Sequence, residues 1–135
     1  MNMQEINMLA VVAAAMSAFV VGGLWYSPLL FGHAWMRANN FTEAQVNAFP
    51  KGRMFGCAIP LCLIMAMNLA IFLAEATTDW VWGMTAGALA GAGWVATGIA
   101  VVALFENKSW AYILINAGYN IVAFVLMGLI IGAWR

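Results

Sequence analysis

The sequence predicts an all-α membrane protein, an antiparallel bundle of four transmembrane helices with a short interfacial amphipathic helix between helices 1 and 2. Hydrophobic residues make up 66% of the 135 residues and charged residues only 7%, whereas roughly a quarter of the residues in soluble domains are charged. Four stretches without Asp, Glu, Lys or Arg also reach the length of about 20 residues that a bilayer requires. They are residues 6–26, 54–74, 80–105 and 110–134. We therefore expect one transmembrane domain, residues 1–135.

The first span differs from a cleavable secretion signal. Its leader, residues 1–5, contains no Lys or Arg, and its end carries the bulky pair Trp25-Tyr26 where a signal has small residues. We therefore expect this span to be retained as the first helix of the bundle.

The connections between the spans differ in length. Residues 75–79 and 106–109 are short links, which force antiparallel neighbours. Residues 27–53 form the long connection, and its Ser27-Pro28 pair is typical of a helix N-cap followed by proline in the first helical position. The sequence therefore predicts a short helix from Pro28 to about Ala38, lying in the membrane interface.

Polar residues mark one side of this interfacial helix. His33 and Arg37 stand one turn apart, and we interpret them with the aromatic residues nearby as interfacial anchors: Trp25, Tyr26, His33, Trp35 and Arg37. Thr42 and Gln45 then form a capping-box pattern, which predicts a second short helix that ends before Pro50.

Basic residues are unevenly placed along the chain. Four of the five follow the first or third span, at Arg37, Lys51, Arg53 and Lys108. The positive-inside rule assigns this face to the cytoplasm, so both termini are expected on the outer side of the membrane. A formal net charge of zero gives no reason to expect a nucleic acid as partner.

Glycines recur every fourth residue in the third span, at Gly83, Gly87 and Gly91. This spacing places them on one helix face, where another helix can approach closely. The face packs either within the bundle or against another subunit. We expect a homo-oligomer, with a dimer favoured, or a subunit of a larger membrane complex, with the lipid bilayer as the surrounding partner.

Polar residues inside the predicted spans need hydrogen-bond partners, because an unpaired polar group is costly in hydrocarbon. The candidate intramembrane cluster consists of Ser17, Asn68, Thr97, Asn116, Tyr119 and Asn120. Two interpretations remain open. These groups either hold helices together in a structural or accessory protein, or they line the path of a minimal channel or carrier for a small neutral or weakly polar solute.

Catalytic and metal-binding signals are absent from the sequence. His33 is the one histidine and has no partner at a metal-ligand spacing. No nucleophile elbow, HExxH motif or phosphate-binding loop occurs, and no Asp, Glu, Lys or Arg lies deep in a span, where ion pathways usually carry one. We therefore expect no enzyme activity, catalytic residues, metal or cofactor.

Several short motifs resemble a bacterial membrane family called domain of unknown function 1761, over nearly the whole chain. They are Trp25-Tyr26-Ser27-Pro28, Phe31-Gly32 with Ala34-Trp35, Leu104-Phe105-Glu106 and Ile115-Asn116-Ala117-Gly118-Tyr119. The resemblance implies four spanning helices and no established activity. The family pattern often has His after this Tyr, where the present chain has Asn120.

Overall fold

The computed structural model describes residues 6–135, so the leader 1–5 lies outside the described residues. This part of the chain is helical and contains no strand. The helices are α1 (Met8–Trp25), α2 (Gly32–Asn39), α3 (Glu43–Asn47), α4 (Lys51–Phe72), α5 (Trp80–Ala90), a π-helical segment (Gly91–Ala96), α6 (Thr97–Phe105) and α7 (Trp110–Ala133).

Four helices are long and apolar enough to cross a membrane, which confirms the predicted fold class. They are α1, α4, the continuous third span Trp80–Phe105 and α7. The third span has the predicted bounds, and the others differ by a few residues. Helix α4 begins at Lys51, three residues before the predicted span. Long basic side chains are compatible with the end of a span, because their charged groups can reach the membrane interface.

Side-chain caps begin three of the four spans. Asn7 Oδ1 accepts from the backbone N–H groups of Leu9 and Ala10 at 3.0 and 3.2 Å. Asp79 Oδ1 accepts from Trp82 N at 2.8 Å, and Ser109 Oγ caps α7 in the same way. Each cap satisfies a backbone donor that has no partner inside the helix.

Helix α7 is the central element of the bundle. It packs against the third span on one side and against α1 on the other, while α4 packs mainly against α1. Residue numbers along paired helices run in opposite senses, since Gly22 lies against Tyr119 while Asn7 Nδ2 donates to Trp134 O. The spans therefore alternate in direction. Residue 7, the 73–79 link and residue 135 share one membrane face, called here the terminal face, and the opposite face with α2 and α3 is called the hairpin face.

Glycines bring the third span into backbone contact with α7. A Cβ at Gly83 would collide with the carbonyl of Gly128, and a Cβ at Gly87 would collide with that of Phe124. One turn further, a Cβ at Gly91 would lie 2.9 Å from Phe124 Cβ. The glycine face of the third span is therefore occupied by α7 of the same chain, which is the intramolecular alternative of the two left open above.

The short helix α2 begins four residues later than predicted. Ser27 Oγ donates to Leu24 O at 2.7 Å, so it ends α1 and does not cap α2. The Ser27 carbonyl then accepts from both Leu30 N and Gly32 N, and this tight turn delays the helix to Gly32. A Cβ at Gly32 would lie 2.7 Å from the Ser27 carbonyl, so the turn requires glycine. The capping box of Thr42 and Gln45 is present as predicted.

A π-helical segment that the sequence pattern did not predict interrupts the third span at Gly91–Ala96. Such segments widen the helix and leave carbonyls without regular partners. Thr97 Oγ1 lies close to two of these carbonyls, at 2.7 Å from Gly93 O and 3.1 Å from Trp94 O. The Trp94 side chain projects outward and is 74% exposed.

The Arg135 guanidinium joins the end of α7 to the end of α4. Its Nη1 donates to Leu73 O at 2.7 Å and its Nη2 to Glu75 O at 2.6 Å. Carbonyls at a helix C-terminus lack helical partners and favour a cation. This contact closes the terminal face on the side of α4.

We expect Gly87→Ala to lower the free energy of unfolding by about 1–3 kcal/mol, because the added methyl group must push α7 away from the third span. Gly56→Ala in α4 is the matched control, since a Cβ there meets nothing within 4 Å. Thermal unfolding in detergent micelles, followed by circular dichroism, measures both. Equal losses in the two variants would contradict the proposed role of the close approach.

Candidate functional site

Most of the predicted polar cluster bonds to the backbone of its own helix. Ser17 donates to Ala14 O at 2.7 Å, Asn68 to Ile64 O at 2.8 Å and Asn120 to Asn116 O at 2.9 Å. Thr97 and Asn68 lie on exposed faces of their helices. Ser17, Thr97 and Asn120 form no hydrogen bonds with one another, so the structure does not join them into one polar centre.

Two aromatic residues at the end of α1 do bond across to α7. Trp25 Nε1 donates to Ile115 O at 2.9 Å, and the Tyr26 hydroxyl donates to Asn116 Oδ1 at 2.7 Å. Deeper in the bundle, the Tyr119 hydroxyl donates to Ala18 O at 3.0 Å. These four side chains, Trp25, Tyr26, Asn116 and Tyr119, are called the aromatic cluster below.

Glycines on the facing helices make room for this cluster. A Cβ at Gly118 would lie 3.0 Å from Trp25 Cζ2, and a Cβ at Gly22 would lie 3.3 Å from the Tyr119 hydroxyl oxygen. Each helix thus offers a glycine to an aromatic ring of the other. The arrangement sets the depth at which α1 lies against α7.

The Tyr26 ring connects the cluster to the hairpin face. It lies edge-on to Tyr119 at 5.5 Å and edge-on to Trp35 of α2 at 5.9 Å between ring centroids. Burial is the main reason that the pKa of Tyr26 is raised above its ordinary value, with smaller contributions from Tyr119 and Tyr112. The phenol therefore stays protonated and remains a donor to Asn116.

The interfacial anchors divide into two groups. Trp25, Tyr26 and Trp35 are half-buried, whereas His33 and Arg37 are exposed on α2. Trp25 and Tyr26 were predicted only as interfacial anchors, and their bonds to α7 were not predicted. No local pattern pairs these residues with α7, because the bonds join positions 90 residues apart.

A groove lies between α4 and the third span, which make few direct contacts. It has a volume of about 660 Å³, and Phe124 of α7 lies at its base. Its walls are apolar except for Asn68, and they include Leu69, Gly93 and Trp94. Asn68 Oδ1 accepts no hydrogen bond from residues 6–135, so the groove contains an unpaired amide oxygen about one turn from the end of α4.

Ionisable groups do not form a metal centre within residues 6–135, where no three His, Cys, Asp or Glu side chains come together. Cys57 is exposed and Cys62 is buried, and both are free thiols. The intramembrane groups described here are therefore neutral hydrogen-bonding side chains.

The fold and these contacts define a multi-pass helical membrane protein whose spans are joined by glycine contacts and an aromatic cluster. The profile of the family described as protein of unknown function (DUF1761) matches residues 9–132, and the chain belongs to this family. Comparison with curated proteins and with solved structures found no match. Two of the motifs that carried the resemblance, at residues 25–28 and 115–119, lie at the contact between α1 and α7.

We expect Tyr26→Phe to destabilise the protein by about 1 kcal/mol, because it removes the donor to Asn116 while it keeps the ring. Tyr112→Phe is the control, since the Tyr112 hydroxyl makes no hydrogen bond to the described residues and its ring lies beside Lys108. Thermal unfolding in micelles compares the two. The cluster has no stabilising role in α1–α7 packing if Tyr26→Phe unfolds at the wild-type temperature.

Proposed function

We propose that this protein is a structural or accessory protein of the bacterial inner membrane, without enzyme activity, that works as a homodimer. The observation that carries the proposal is the set of hydrogen-bond partners of the polar side chains in the spans. They donate to backbone carbonyls of their own helix, as Ser17 and Asn120 do, or tie α1 to α7, as Tyr119 does. A bond between helices is typical of a side chain that stabilises helix packing, and a local bond to a helix carbonyl satisfies a polar group without a ligand or a partner helix.

The carrier alternative receives less support from the same residues. A path for a polar solute needs side chains that converge on a common space with free donors or acceptors. The groove between α4 and the third span is lined by neither Asn116, Tyr119 nor Asn120. The Thr97 hydroxyl has no free donor for a solute, because it already lies within hydrogen-bond distance of two carbonyl oxygens of its own helix.

Assembly requires a surface other than the glycine face that α7 occupies. The outer side of the third span supplies one, since a Cβ at Gly93 or Gly98 would meet nothing within 4 Å. Gly93 also lines the groove that contains Asn68. Small residues and a membrane-embedded amide are the features through which spans associate in lipid. We therefore place the third span of a second copy in this groove, with Asn68 as its polar contact.

The charge distribution supports an orientation for the dimer. Four of the five basic residues, Arg37, Lys51, Arg53 and Lys108, belong to the hairpin face, and Arg135 belongs to the terminal face. By the positive-inside rule the hairpin face is cytoplasmic and both termini are periplasmic. A parallel dimer would keep this orientation in both copies.

We expect Gly93→Leu to abolish dimerisation by filling the groove, and Asn68→Leu to weaken it roughly fivefold, the equivalent of about 1 kcal/mol. Energy transfer between labelled copies in liposomes, titrated with lipid, measures the dimer fraction. Gly56→Leu is the control, because Gly56 in α4 also has open space at its Cβ position. A wild-type protein that stays monomeric at every dilution, or an equal loss in Gly56→Leu, would refute this assembly.

Solute flux separates the structural role from the carrier alternative. We expect proteoliposomes with wild-type protein to pass water and glycerol at the rate of protein-free liposomes, since the polar side chains on α7 are engaged in helix bonds. Stopped-flow light scattering measures both rates. A flux above the lipid background that Asn120→Leu removes would establish a path along α7 and overturn the structural role.

A further inference from the structure

A second cavity lies at the hairpin face, beneath the pair of short helices α2 and α3. It has a volume of about 170 Å³ and is lined by the Tyr26 and Trp35 rings and by the polar side chains of His33, Glu43 and Asn47. Drug-sized ligands occupy pockets of about 300–1,000 Å³. This cavity therefore suits a smaller polar group.

The three polar side chains of the cavity are unpaired. His33, Glu43 and Asn47 form no side-chain hydrogen bond or ion pair with residues 6–135, although each stands in a region rich in such bonds. Several polar neighbours in the same segment are engaged: Ser27 with Leu24 O, Asn39 with Trp35 O, Thr42 with Gln45, and Lys51 with Val46 O. His33, Glu43 and Asn47 are exposed side chains that line the cavity with free hydrogen-bonding capacity, as Arg37 and Asn40 have outside it.

The side chains that line the cavity favour a cationic ligand. Glu43 contributes a carboxylate, and no Lys or Arg lines the cavity to neutralise it. The Tyr26 and Trp35 rings stand at 73° to one another, 5.9 Å apart, and aromatic faces attract cations. Carboxylate and carboxamide oxygens accept hydrogen bonds, so an ammonium that can donate N–H bonds suits Glu43 and Asn47 better than a quaternary one. His33 can supply a donor for an anionic group on the same ligand.

The position of the cavity favours a lipid as the source of this ammonium. Tyr26 follows the last residue of α1 at the end of the first span. The turn beside it exposes the apolar side chains Leu29, Leu30 and Phe31, with Leu29 84% exposed. Apolar side chains next to a span end belong in the interface, with the acyl chains below and the headgroups at their own level.

We propose that this cavity binds the headgroup of an aminophospholipid, with its primary ammonium on Glu43 and Asn47 against the Trp35 and Tyr26 rings, and its phosphate near His33. The site is independent of the dimer, because it lies at the hairpin face and shares no lining residue with the groove between α4 and the third span. A lipid bound in this cavity would hold α2 and α3 against the membrane surface.

Native mass spectrometry of protein released from nanodiscs of equal phosphatidylethanolamine, phosphatidylcholine and phosphatidylglycerol tests the site. We expect wild-type protein to retain phosphatidylethanolamine preferentially. Glu43→Gln should reduce this retention about tenfold by removing a charge-assisted bond, and Asn47→Asp should increase it. Opposite effects of two neighbouring substitutions would not arise from general unfolding.

Glu106→Gln is the matched control, since it makes the same change of charge on the same membrane face outside this cavity. Soluble phosphoethanolamine in excess should displace little of the retained lipid if the acyl chains contribute to binding. Complete displacement would assign the site to a soluble amine and overturn the lipid proposal. Equal retention of the three lipids by the wild type, or an equal loss in Glu43→Gln and Glu106→Gln, would also overturn it.

Discussion

The backbone contact between the third span and α7 is the constraint on which the rest of the bundle depends. Lipid is as apolar as the side chains, so helices in a bilayer associate through close packing and not through exclusion of water. Gly83 and Gly87 allow the two backbones to touch, and Gly91 continues the contact up to the π-helical segment. One side of α7 is thereby occupied, which leaves the other for α1.

Polar groups in the spans follow from a second constraint, the high cost of an unpaired donor in hydrocarbon. The chain meets it mainly by local bonds to helix carbonyls, which need no partner helix. Only a few side chains donate across the bundle, and among these are Trp25, Tyr26 and Tyr119. They combine ring packing with one hydrogen bond, so the same residues set both the distance and the depth of α1 against α7.

Unpaired polar side chains line the two places proposed above as binding surfaces, and the buried Thr78 hydroxyl in the 73–79 link is unpaired as well. Asn68 keeps a free amide oxygen in the groove between α4 and the third span, and Glu43, His33 and Asn47 face the cavity beneath α2 and α3. Both places lie at the edges of the bundle, away from the packed contact of α7 with its neighbours. The protein thus has a closely packed centre, and the surfaces proposed for a second copy and for a lipid lie outside it.

Composition and local spacing were enough to predict the four spans and the capping box of Thr42, because these depend on residues a few positions apart. The packing of the helices was needed to establish that the glycine face belongs to α7, that Trp25 and Tyr26 bond to α7 and that Ser17, Thr97 and Asn120 stay apart. A periodic pattern shows which residues share a helix face, but the partner of that face depends on how the helices rotate and pack. The delayed start of α2 has the same origin. The Ser27 side chain could cap the helix that follows or donate to Leu24 O at the end of α1, and the turn that closes at Gly32 favours the second.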